Sequence, residues 1–195
     1  MPSAPSDNLH AAAVALLKGW AAPDDDQDAV RRQLLDHLAG HEDAMWRSCP
    51  DGHLTGSTLV VDATGTRALF TLHPKIGRWL QMGGHCEPGD ADLAATARRE
   101  AVEESGIDGL VLLPGPIDLD IHALQCPKGH PNRHLDVRWL AVAPAGAAAR
   151  PSDESPDLRW FPLDVPPPDA DESTLRLVRL ARLARATAID RTSVT

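Results

Sequence analysis

The stretch 83–106, GGHCEPGDADLAATARREAVEESG, constrains this chain more than any other. A Gly-Gly pair opens it, a Pro-Gly turn follows at 88–89, and a helix-forming run then carries Arg99, Glu100, Glu103 and Glu104. Leu, Ala, Arg and Glu favour helix, Asp92 stands where an N-cap belongs, and Gly106 stands where a C-cap glycine belongs. At ~100° per residue, the three glutamates fall within an arc of about 100° on one helical face. As a helix alone this is poorly made. Glu100 and Glu104 are like charges at i,i+4, and Glu103 and Glu104 lie in the last turn, where the helix dipole disfavours anions. No Lys or Arg follows at 107 or 108. The pattern asks for a cation, and a divalent ion held by carboxylate oxygens is the natural candidate. Ala94, Ala97 and Ala101 run beside the acidic stripe, so the helix can approach a sheet closely.

These residues resemble the Nudix box, the phosphate-hydrolase motif G-x5-E-x7-R-E-U-x-E-E-x-G-U, in which U is aliphatic. Gly84, Asp90, Arg99, Glu100, Glu103, Glu104, Gly106 and Ile107 occupy its fixed positions. Asp90 stands where Glu is usual, eight residues rather than seven separate it from Arg99, and the small Ala101 takes the U position. The extra residue falls at the turn into the helix, which leaves the glutamate geometry intact. It leaves open whether Asp90 or Glu87 is the useful upstream acid.

The resemblance implies an α/β fold, a Nudix-type α/β/α sandwich with a mixed sheet. It also implies Mg²⁺ or Mn²⁺ as cofactor, with Glu100, Glu103, Glu104 and the Gly83 carbonyl as metal ligands. Arg99 would be structural, orienting the carboxylates. Glu103 and Glu104 would be catalytic, together with Glu154, which matches a loop position where the family often carries a metal-linked or general-base glutamate. The implied activity is water attack on phosphorus in a nucleoside diphosphate-linked substrate, with a nucleoside triphosphate giving monophosphate and pyrophosphate as the leading expectation. The alternative is a non-catalytic Nudix-fold protein that binds a nucleotide for regulation; the retained glutamates favour the enzyme.

Charge narrows the partners. A net charge of −9 argues against a binder of nucleic-acid backbones, so an anionic small-molecule substrate must be met by local cations or bound metal. Lys75 and Arg78 precede the motif and His85 lies inside it. Arg133 and His134 alternate on a later strand and should point to opposite faces, so one of them is a candidate for the substrate side. Three cysteines form no disulfide framework, which fits a reducing cytoplasm. No apolar run approaches the ~20 residues of a membrane span, and no signal-peptide pattern opens the chain.

The chain divides into a helical N-terminal extension, 1–50, and a hydrolase domain, 51–190. The extension carries one helix through Leu9, Val14, Leu16 and Leu17 and a second from the acidic 24–28 cluster to Gly40. The pair serves as a lid, a homodimer element or packing against one sheet edge; the sequence leaves the three open. Beyond it, strands are expected at 57–62, 67–72, 110–113, 117–121, 134–142 and 158–163, with a closing helix at 172–184. A zinc site from Cys49, His53, Cys126, His130 and His134 can be sketched, but its spacing matches no usual finger. Cys86 reads as a small filler, and Trp79, Trp139 and Trp160 read as core rather than as base-stacking platforms.

Overall fold

The structure, a computed structural model, describes residues 5–74, 76–124, 132–151 and 157–192. Two helices come first, α1 (Pro5–Gly19) and α2 (Asp25–Gly40), and the Asp24 side chain caps α2 by accepting from the Gln27 amide. Helix stops at Gly40, where the sequence places its end. Residues 41–52 are successive turns whose Ala44 carbonyl receives the Leu54 amide, so the chain is already being fed into the sheet.

Among the described residues eight strands follow: β1 (His53–Val61), β2 (Arg67–Leu72), β3 (Trp79–Leu80), β4 (Met82–His85), β5 (Val111–Leu112), β6 (Asp118–Leu124), β7 (Asn132–Val142) and β8 (Leu158–Pro162). Helix α3 (Leu93–Ser105) lies between β4 and β5, and α4 (Glu172–Thr192) closes the chain. The β1–β2 hairpin turns at Gly65, whose φ of 62° is left-handed, while the Asp62 carboxylate accepts the Thr66 and Arg67 amides. The sheet is mixed. β1 pairs with β7 in parallel from His53↔His134 to Val61↔Val142; along its other edge it pairs antiparallel with β4 over its first half and with β2 at its end.

The parallel ladder divides the sheet into two faces. Leu54, Gly56, Thr58 and Val60 of β1 turn towards α3, where the Thr58 hydroxyl donates to the Ala97 carbonyl. A Cβ on Gly56 would meet the α3 backbone at 3.0 Å, so this glycine sets how closely helix and sheet approach. The same face holds α1 and α2. Leu9, Ala13, Leu17, Leu34 and Leu38 are buried with Leu54, Leu119, Leu135, Val137 and Trp139 in one cluster. Gln27 also exchanges two hydrogen bonds with the Leu119 backbone, and the Trp20 indole donates to the Pro116 carbonyl. The N-terminal helices are therefore packed onto a sheet face and share its core.

On the opposite face, α4 covers Leu59, Val61, Phe70 and Leu140 with Leu177, Val178 and Ala181. Farther along the same strands that face becomes ionic. Arg138 reaches Asp118, Asp120 and Asp136, and Arg176 of α4 reaches Asp118 and Asp120. Asp136 also accepts the Thr55 and Ser57 hydroxyls. The network fixes the angle at which α4 enters, because any other placement would strand a buried charge.

Leu34→Ala should destabilise the protein by about 3 kcal/mol, since it empties a site with no solvent exposure. A chain beginning near Cys49 should fail to reach the native state, because it lacks the α1 and α2 residues of that shared cluster. Urea titration by tryptophan fluorescence checks both; a native-like transition in the shortened chain would contradict this account of the core.

Candidate active site

The acidic stripe is built by a strand, a turn and a helix that meet at β4. Asp92 caps α3 by accepting the Ala95 amide, and Gly106 ends it in a left-handed conformation, as the sequence predicts. Gly83 pairs with Ser57 and Gly84 with Gly56. A Cβ on Gly84 would lie 2.5 Å from the Glu100 carboxylate, so the glycine leaves the seat that this carboxylate fills. The Gly83 amide donates to Glu104 at 2.9 Å.

Arg99 is the hub. Its guanidinium contacts both Asp90 oxygens, the His85 carbonyl at 2.7 Å, Glu100 at 3.0 Å and Glu103 at 3.0 Å. Burial works against its charge, but the hydrogen bond to Asp90 and the Glu100 carboxylate hold Arg99 above its ordinary pKa. The cation that the helix lacks at its end is thus supplied in part from within. The upstream acid has a definite role as well. The Asp90 side chain is little exposed, accepts from the Glu87 amide, the Thr96 hydroxyl and Arg99, and anchors the loop to the helix. Despite burial, these bonds hold its carboxyl below the usual carboxylate range. Glu87 is mostly exposed and lies 3.8 Å from Arg99.

The donor set fits a hard divalent ion: three carboxylates on one side of α3, beside the backbone of Gly83 and Gly84. The carboxylates are at present held by Arg99 and by the Gly83 amide. Among the described residues, the metal-ligating side chains whose donor atoms all lie within 4.8 Å of one another are His53, His85 and His134.

The remaining sequence candidates part company. His85 lies on the far side of β4 from Glu100, half-buried, and stacks on His53 at 5.0 Å. His134 meets both rings edge-on. Arg133 points the other way, as its alternation requires, and donates to the Asp51 carbonyl. Arg78 pairs with Asp171 ahead of α4. Lys75, Glu154, Cys126 and His130 lie outside the described residues. Cys86 is a buried filler whose thiol burial pushes up to about 11. Trp139 is core, Trp79 packs on Phe161 under Arg159, and Trp160 carries Arg67 over its ring. Arg47 and His122 escaped the sequence reading. Arg47 donates to His85 Nδ1 at 2.6 Å, and His122 bonds Asp120 through Nδ1 at 2.9 Å. Burial, with Arg47 close by, lowers His85 to about 4; burial, with His85 and His122 beside it, lowers His134 to about 2.

A family model described as NUDIX domain matches residues 53–181. The chain belongs to the NUDIX family. No curated protein matches it by sequence. Among solved structures, it is similar to the MutT NUDIX hydrolase from Burkholderia pseudomallei, with TM-score 0.50 and 20% identity over 67% of this chain and 98% of that one. It is also similar to the NUDIX domain of Shewanella oneidensis NrtR, solved with ADP ribose, with TM-score 0.50 and 17% identity over 76% of this chain and 96% of that one. A NUDIX-family hydrolase from Clostridium perfringens aligns with TM-score 0.49 and 22% identity over 68% of this chain and 97% of that one. The expected α/β/α sandwich is thus the fold observed. The matched segment starts at the first residue of β1, so α1, α2 and Arg47 precede it.

In this NUDIX-family protein, Gly84→Ala should displace the Glu100 carboxylate, the flexible partner in that contact, rather than the backbone. The expected result is a loss of turnover of tenfold or more, on the order of 1.4 kcal/mol, with a thermal midpoint near that of the parent. A large drop in midpoint with activity retained would count against the cradle.

Proposed function

We propose that this NUDIX hydrolase cleaves a phosphoanhydride in a nucleoside diphosphate-linked substrate, with Mg²⁺ or Mn²⁺ as cofactor. The observation that carries the reading is the set of Glu100, seated against Gly84, Glu103, held with it by Arg99, and Glu104, held by the Gly83 amide. Those three carboxylates and the Gly83 carbonyl would hold the metal. When bound, such an ion supplies charge neutralisation at phosphorus and a water acidified towards neutral pH.

The chain's own residues do the rest. Arg99 and Asp90 fix the carboxylates against the loop, so little rearrangement is needed when substrate arrives. A base accepts the water proton as the water oxygen bonds to phosphorus and the bridging P–O bond breaks. The leaving phosphate takes the bridging oxygen. Glu154 is the proposed base, with Glu103 and Glu104 in the metal set. Lys75 and Arg78 are the proposed cations on the phosphate side, which a chain of net charge −9 requires for an anionic ligand. A nucleoside triphosphate yielding monophosphate and pyrophosphate is the leading substrate, and ADP-ribose, the ligand of the NrtR domain, belongs in the same screen. A cytoplasmic location suits the unpaired, buried Cys49 and Cys86.

Glu103→Gln and Glu104→Gln should each lower kcat by orders of magnitude without unfolding the protein, because each removes charge repulsion on α3. Glu154→Gln should lower kcat with little change in KM, while Asp157→Asn does little. Phosphate and nucleotide release with Mg²⁺, with Mn²⁺ and with chelator reads these outcomes. Undiminished Mg²⁺-dependent turnover in both helix variants would sink the assignment.

A further inference from the structure

The sheet face turned away from the acidic stripe carries a second cluster of metal-binding chemistry. Three strands bring it together. The parallel register sets His53 directly beside His134, and the antiparallel register of β4 sets His85 beside Thr55, one rung along the same face. Their donor nitrogens lie within 4.8 Å of one another, and His134 Nε2 is buried with no hydrogen-bond partner among the described residues. A buried polar nitrogen in that position calls for a ligand. We propose that His53, His85 and His134 form a metal site separate from the carboxylate stripe, taking a transition ion of the Zn²⁺ class.

The donor chemistry selects the ion. Imidazole nitrogen suits Zn²⁺, Co²⁺, Ni²⁺ and Cu²⁺, whereas Mg²⁺ and Mn²⁺ prefer oxygen. Nitrogens of a tetrahedral zinc site lie about 3.3 Å apart, given Zn–N bonds near 2.0 Å, so ring adjustments of ~1 Å bring the three together. The charges around the cluster are mixed, with Arg47 and Arg99 close to His85 and carboxylates farther along the strands. Two residues along, the same strands carry Asp120 and Asp136, and with Asp118 these three carboxylates face two arginines, Arg138 and Arg176, leaving one negative charge in excess. The fourth coordination position points to His122. It pairs with His134 across β6 and β7, its ring lies 5.3 Å away, and Asp120 holds its Nδ1. A carboxylate on the far nitrogen is the arrangement that orients a ligating histidine and raises its basicity.

Arg47 is the competitor. It occupies His85 Nδ1, so ligation by that nitrogen displaces it, and ligation by Nε2 needs the tautomer that its donated proton disfavours. Its contact is exposed, so it can leave without stranding a buried charge. The N-terminal extension thereby supplies a guanidinium that sets the affinity of the site.

The test uses the full-length protein, stripped with chelator and titrated with Co²⁺ as the spectroscopic probe. The expected result is one equivalent bound with the intense visible absorption of a four-coordinate nitrogen-rich site. His134→Asn and His53→Asn should weaken that binding by about a hundredfold or more, while the Glu103→Gln, Glu104→Gln double variant keeps it. Arg47→Ala should tighten it several-fold; unchanged or weaker binding would remove His85 from the ligand set. Should the histidine variants misfold, zinc-edge X-ray absorption of the wild-type protein decides: imidazole scattering supports the site, and an oxygen-only shell overturns it. Loss of the Co²⁺ band in the glutamate double variant alone would assign the ion to the stripe instead. The histidine site and the proposed hydrolysis fail separately, because the first is read by spectroscopy and the second by product release.

Discussion

The parallel ladder between β1 and β7 is the constraint on which the rest depends. It runs the full length of β1, from His53↔His134 to Val61↔Val142. Because strand side chains alternate, this one register decides what both faces can be. One face receives Leu54, Leu135, Val137 and Trp139 and becomes the floor for α1, α2 and α3. The other receives Thr55, Ser57, Asp136 and Arg138 and becomes an ionic layer beneath α4. A slip of one residue would carry the charges into the hydrophobic cluster and the leucines out of it.

The acidic stripe hangs from that ladder through two close approaches. Gly56 admits the α3 backbone and Gly84 admits the Glu100 carboxylate, and the two glycines pair with each other across β1 and β4. Arg99 then binds the loop to the helix, holding Asp90 and the His85 carbonyl on one side and Glu100 and Glu103 on the other. Repulsion between carboxylates is thereby balanced by one guanidinium whose own burial is offset by pairing at every edge. The helix keeps its ligands close together and remains a helix.

The N-terminal helices change meaning in three dimensions. They lie outside the segment that matches the family, yet Leu9, Leu17, Leu34 and Leu38 are as deeply buried as the leucines of the strands. Gln27 satisfies both backbone groups of Leu119 on a strand edge, which would otherwise be left open. Arg47 extends the same segment to His85. Stability and site are thus joined through residues that carry no recognisable motif.

The sequence by itself determined the acidic stripe, its caps, the glycine turn ahead of it and most strand positions, because these rest on local geometry and short spacing. Asp92, Gly106 and the order of Arg99, Glu100, Glu103 and Glu104 are legible within a few helical turns. Strand existence was legible at 57–62 and 134–142 for the same reason, although β1 begins earlier, at His53, because His53, Thr55 and Gly56 interrupt the apolar signature around Leu54. Asp90 could be named but not understood, since its bond to Arg99 needs the loop folded back on the helix. Tertiary structure alone decided that α1 and α2 belong to the core, that Arg138 is buried among three aspartates, and that His53, His85 and His134 share a corner. Each depends on which strands become neighbours and in what register, and no local propensity encodes that choice. It follows from burying two faces of one sheet at once.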